Sequence, residues 1–188
     1  RAVLTGAIRN DWTIAQDYRQ YGTLFSEGAL RISASSYQSY EGSLLGSSDY
    51  VTLNVANAAN LGGSLTADRV TVTASSIASS VTSSVFSSDD LRLTAASGKI
   101  SNFGELVSGD DLYITSNEFD IRGNTFADRV HLDATTRGYT RGNLYATETV
   151  GIDVTAGQYY NYGLTEARNK LTITAASISN YDGAKLAS

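Results

Sequence analysis

Six carboxylates recur at one phase of this 188-residue sequence: Asp49, Asp68, Asp89, Asp110, Asp128 and Glu148. Each stands two places before a short run of alternating apolar residues, and Asn169 takes that place in a last copy. If the runs stack on one another, so do the carboxylates, and bare like charges at that spacing repel. Two kinds of chemistry relieve the repulsion. One is a row of oxygen ligands for Ca²⁺. The other is local: each carboxylate caps its own turn by bonding backbone N–H groups, while Arg69, Arg129 and Lys170 neutralise part of the charge. The glycine-aspartate calcium nonapeptide is absent. The expectation is capping, with no metal site and no cofactor.

Tyrosine is the second candidate. Twelve are present, and Tyr21, Tyr40, Tyr139, Tyr160 and Tyr181 fall nine or ten residues after the start of an apolar run. Tyr159 and Tyr162 add density near the C-terminal end. Exposed rings beside Asn and Gly offer contact area at low entropic cost, which suits sugar or protein binding. An aromatic ladder that only stabilises successive coils is the structural alternative. Asn102, Asn161 and Asn180 fit a ladder that braces turns.

Catalysis finds little support. The pairs Asp89-Asp90 and Asp110-Asp111 bring acids together, as carbohydrate cleavage requires, but acid and base must sit in a walled cleft. The repeat intervals leave no room for a long lid. His131, the one histidine, lies beside Asp133 with no cysteine or second histidine, and reads as a solvated surface residue. No enzyme is expected. A net charge of -5 argues against nucleic acid as partner. No apolar run approaches the roughly 20 residues a bilayer crossing needs.

All of these residues are positioned by a repeat. Leu91-Arg92-Leu93-Thr94-Ala95 leads into Ile100-Ser101-Asn102-Phe103-Gly104. Leu171-Thr172-Ile173-Thr174-Ala175 leads into Ile178-Ser179-Asn180-Tyr181. Weaker copies start at Trp12, Leu30, Val51, Val70, Leu112, Val130 and Val150, at intervals of 18 to 21 residues. Within each run the period is two, the mark of a half-buried strand. A unit this short cannot bury its own apolar face, so copies must stack. The reading is an all-β, right-handed parallel β-helix over residues 1–188, about nine coils of roughly 20 residues each. Ser75 to Ser88 keeps the repeat length and supplies Ile77, Val81, Val85 and Phe86 for a core, so it reads as a coil with serine on its outer face and not a linker. Leu4 and Ile8 belong to an interrupted coil before the first full one. The absence of Met suggests that the chain begins inside a larger gene product.

The combined pattern, Leu-x-Ile-x-Ala and then Ile-x-Asn-x-Gly, resembles the filamentous-haemagglutinin repeats of two-partner secretion exoproteins. These include adhesins and contact-dependent inhibition proteins. Residues 91–107 and 171–187 match best, and 30–46 and 150–167 match less well. The resemblance implies a secreted, extracellular bacterial surface stalk or adhesin. Its partners would be neighbouring coils, other subunits, glycans or cell-surface proteins. The tyrosine content departs from typical repeats and keeps open a filament or matrix subunit joined end to end. A polysaccharide-binding or polysaccharide-cleaving β-helix is a more distant alternative.

Overall fold

The alternation in Leu91-Arg92-Leu93-Thr94-Ala95 places Leu91, Leu93 and Ala95 on one side of a strand, and all three are buried. Leu91 lies in register with Val70 on one neighbouring strand and Leu112 on the other. Leu93 likewise lies between Val72 and Ile114. Like side chains therefore stack, and each copy buries the apolar edge of the one before it. The structure is a computed structural model and describes residues 2–4 and 9–188. Among the described residues nineteen strands, all paired in parallel, wind as nine coils and part of a preceding one. The coils begin at residues 9, 29, 50, 69, 91, 111, 129, 149 and 170. Ala2–Leu4 pairs with Thr23–Ser26 as the third-face strand of a preceding turn. The Ile8 of that expected partial coil lies outside the described residues.

Each coil has three faces. The first carries two aliphatic columns, from Leu30 and Ile32 through Val150 and Ile152, every member almost wholly buried. The Leu171 and Ile173 that follow are half-buried. The columns place Leu91, Leu93, Ile114, Leu132, Ile152 and Ile173 in one core, as the alternation predicts. The third face adds Leu24, Leu45, Leu65, Val85, Leu106 and Leu144. Ile77 and Val85 are buried in the second- and third-face stacks, so the serine-rich segment is a true coil. Val81 and Phe86, however, are exposed instead of joining the core, because they take a turn tip and an outward strand place. Ser79, Ser83 and Ser87 are buried instead of facing out.

The second face is less uniform. Its inward column reads Tyr37, Ala59, Ile77, Ile100, Phe119, Gly138, Tyr159. Large and small residues compensate across neighbouring coils. A Cβ at Gly138 would strike the Phe119 ring, and the Phe119 and Tyr159 centroids lie 6.5 Å apart across it.

Two details of register also depart from the sequence reading. Trp12 pairs with Ile32, and Asn10 pairs with Leu30. The first coil therefore begins two residues earlier than an apolar anchor suggests, with a polar residue in the leading place. Between the first and second faces the chain bulges by a variable amount. Three residues (155–157) intervene in coil 8 and one (176) in coil 9.

The turn from second to third face also has two lengths. Coils 1, 3 and 5–8 make it with one glycine: Gly22, Gly63, Gly104, Gly123, Gly142 and Gly163. Coils 2, 4 and 9 use three residues and close the turn by bonds from Ser43, Ser83 and Ala184 N–H to the Tyr40, Ser80 and Tyr181 carbonyls, at 2.9, 3.2 and 3.0 Å. Gly42 and Gly183 supply the positive φ that two of these turns require. The asparagines brace the turns as expected. Asn102, Asn161 and Asn180 each donate to a turn carbonyl, those of Gly104, Gly163 and Ala184, at 3.0–3.1 Å.

Candidate ligand surface

The acidic row does stack. The N–H groups of Asp68, Asp89, Asp110 and Asp128 bond the carbonyls of Asp49, Asp68, Asp89 and Asp110 in turn, at 2.8–3.2 Å. The capping expectation fails, however. Among the described residues none of the six carboxylates accepts a backbone N–H. Serine two residues before the carboxylate braces the corner instead. Ser47 Oγ accepts the Asp49 N–H at 3.0 Å, whereas the buried Ser87 hydroxyl donates toward the Asp68 and Asp90 carbonyls and that of Ser108 toward those of Asp89 and Asp111. A hydroxyl suits the inside of the corner because it can be buried uncharged, whereas a carboxylate there would need a partner.

The carboxylates instead point outward and meet side chains. Arg69 bonds Asp89 at 2.8 Å, Ser88 bonds Asp68 at 2.8 Å, and Thr147 bonds Asp128. Arg129 bridges Asp111 at 2.5 Å and Glu148 at 3.3 Å. Desolvation, with Asp89 and Asp128 nearby, raises the Asp110 carboxyl despite Arg129. Arg129 holds the Asp111 carboxyl below its usual range. Among the described residues no group of three or more His, Asp or Glu side chains could hold a metal ion.

His131 is not freely solvated. Its ring stacks on Tyr113 at 4.8 Å, and Arg92 lies over the other face of Tyr113 at 3.9 Å. Two residues along the strand, partial burial and the facing Asp153 raise the Asp133 carboxyl, and His131 opposes the shift.

The tyrosines divide into more groups than the sequence count implied. Tyr159 points inward and is 0% exposed. It is a core residue, not a surface-binding one, because the outward place on its strand belongs to Tyr160. Its hydroxyl bonds Thr140 at 2.9 Å and Thr165 at 3.2 Å, and burial raises it. The exposed rings form separate stacks. Tyr21 and Tyr40 stack at 4.4 Å near the N-terminal end, and Tyr139 and Tyr160 at 5.0 Å near the other. Tyr181 does not continue the Tyr139–Tyr160 column; Ser179 does. It stacks at 4.1 Å on Tyr162, in the adjoining column at the turn, and lies 6.4 Å from Tyr160. Counting from anchors misplaces it because the bulge is two residues shorter in coil 9.

Arg141 ties these C-terminal columns together. Its guanidinium lies 4.9 Å from the Tyr139 centroid and 4.7 Å from that of Tyr162, a favourable cation–π geometry. It also bonds Asp120 at 3.1 Å. Asp120 takes two further bonds from Arg122, at 2.8 and 3.0 Å, and Lys99 lies 3.6 Å away. Burial alone would raise this carboxyl; Arg122, Arg141 and Lys99 outweigh it and hold it low. Coils 5–9 thus present a patch of four exposed or half-buried tyrosines tied through the Arg141 guanidinium to a buried acid.

Sequence reasoning passed over Asp120 and its cations. It also placed Phe86 in the core and so missed an outward row on the third face, made of Phe86, Val107, Phe126 and Tyr145 in register. The signal was available: each lies four or five residues before the next first-face anchor.

Comparison with known families agrees with this architecture. A family model described as the haemagglutinin repeat matches residues 25–83, 65–138 and 132–188. Neither a search of curated proteins nor a search of solved structures returned a match.

Proposed function

Because the chain belongs to the haemagglutinin repeat family, we propose that it is a stalk-like adhesive segment of a secreted bacterial surface protein. The stacked coils supply reach, since each adds one strand spacing of ~4.8 Å and nine give a rod of roughly 45 Å. The patch of Tyr139, Tyr160, Tyr162 and Tyr181 around Arg141 supplies contact, and it carries the adhesive half of the reading. Rings already stacked and fastened by a guanidinium lose little entropy on meeting a glycan or a surface protein. Extracellular placement follows the family. No catalytic role is assigned.

Adhesion of protein-coated beads to cultured epithelial cells and to bacterial cells tests this reading. Beads carrying the chain should adhere to at least one. A Tyr139→Ala/Tyr160→Ala variant with an unchanged melting temperature should lose most of that adhesion. Full adhesion by the variant would remove the patch from the account.

A further inference from the structure

The two turn lengths give the solenoid a second surface feature. The three-residue turn of coil 4 projects with Val81, 75% exposed, and Thr82 at its tip. The next three-residue turn along the axis is that of coil 9, at Asp182 and Gly183. Between them coils 5–8 turn on single glycines. A Cβ at Gly123 would collide with the Gly104 carbonyl, and one at Gly163 with that of Gly142, so the recess is fixed by backbone packing. The result is a trough parallel to the axis, four coils or roughly 19 Å long at ~4.8 Å per coil.

Its end against coil 4 is a cavity of about 480 Å³, lined by Val81, Thr82, Ser84, Phe103, Glu105, Arg122 and Asn124 among others. Phe103 is 36% exposed, with the Arg122 guanidinium 4.7 Å from its ring centroid. Arg122 shares the single Asp120 carboxylate with Arg141. Asn143 donates to Asn124 Oδ1 at 3.0 Å, leaving the Asn124 amide N–H groups facing outward with Glu105. On the same register Arg141 and Asn143, then Tyr162 and Leu164, continue the two walls.

We infer that this trough binds a linear, uncharged oligosaccharide. An apolar ring, hydroxyls, an amide and one carboxylate around a concave site match a pyranose, which has an apolar face and an equatorial ring of hydroxyls. A strongly charged ligand finds no matching excess, because Arg122 and Arg141 are balanced by Asp120 and Glu105, and Lys99 pairs with Glu118. An extended peptide finds no unpaired strand edge, because the strands of coils 5–8 are paired on both sides. The trough shares Arg141 and Tyr162 with the tyrosine patch, but its coil-4 end at Phe103, Glu105 and Asn124 lies outside that patch and does not require it to be adhesive.

Titrating the full ¹⁵N-labelled chain with cellotetraose, chitotetraose and a heparin-derived tetrasaccharide, followed by NMR, tests the assignment. At least one of the two neutral sugars should shift the Gly104 and Gly123 amides and the Asn124 side-chain amide. Both Phe103→Ala and the fully outward Asn124→Ala should weaken binding about tenfold or more. The inference fails if neither neutral sugar shifts the trough at about 10 mM, an affinity weaker than about 3 kcal/mol. It also fails if the heparin fragment alone binds there, or if binding survives Asn124→Ala in full.

Discussion

The first and second faces of this solenoid are built from the same repeat but solve packing differently. On the first face every coil contributes similar aliphatic side chains, so Leu91 meets Val70 and Leu112, and one column is interchangeable with the next. On the second face Phe119 fills space that Gly138 leaves, Tyr159 needs Thr140 and Thr165 for its hydroxyl, and the bulge before it varies in length. The uniform face can hold the rod together without regard to what any one coil displays. The irregular face can vary its outward residues, and it carries the tyrosines, Arg141 and the Asp120 cluster. Cohesion and display are thus assigned to different sides of one coil.

The sharpest way to break that division is a charge in the uniform face. Ile114 is 0% exposed and flanked by Leu93 and Leu132, so Ile114→Asp buries an unpaired carboxylate. Chemical denaturation should show a loss of about 4–5 kcal/mol or failure to fold. An unchanged midpoint would contradict the inward assignment. Next in size, Phe119→Ala should cost about 3 kcal/mol, near the low end for such a truncation, because the second face can relax toward Gly138. A cost equal to that of Ile114→Asp would erase the contrast between the faces.

Asp120→Asn is smaller and depends on pH. Its carboxyl is held below the ordinary value of ~3.9. The stability it contributes is therefore complete above that value and is lost as pH falls through its folded pKa. The variant should lose about 1–3 kcal/mol at neutral pH, and its melting temperature should fall less than that of the parent below about pH 4. Identical acid limbs in melting scans would show that Asp120 contributes nothing. The smallest expected effect is at the acidic corner: millimolar calcium or a chelator should leave the melting temperature unchanged. A strong rise at low calcium would overturn the metal-free reading, since selective binding to the folded state must stabilise it.

The division also explains what could be read from the sequence. The first face was legible because strict alternation in Leu91-Arg92-Leu93-Thr94-Ala95 specifies both strand and orientation. The serine-rich coil was legible because its spacing survived its composition. Trp12 misled because the leading place of the first coil is Asn10, and no apolar signal marks it. Tyr159 and Tyr181 misled for one reason: a bulge of one to three residues breaks the count from anchor to second face, and a single-residue slip exchanges inside for outside. The corner serines were hidden by their abundance, since nothing local distinguishes Ser87 or Ser108 from their neighbours. Asp120 was hidden because its partners come from coils on both sides.

Residue-resolved hydrogen exchange on the full chain tests the central division most directly. Amides of the first-face strands in coils 3–7, including Leu93, Ile114 and Leu132, should exchange slowest and with similar protection, as stacked coils open together. The serine-rich coil should share that protection at Val85, while the bulges at 135–136 and 155–157 exchange fastest. Slower exchange across the second face than the first, or fast exchange throughout residues 75–88, would contradict the assignment of cohesion to the first face.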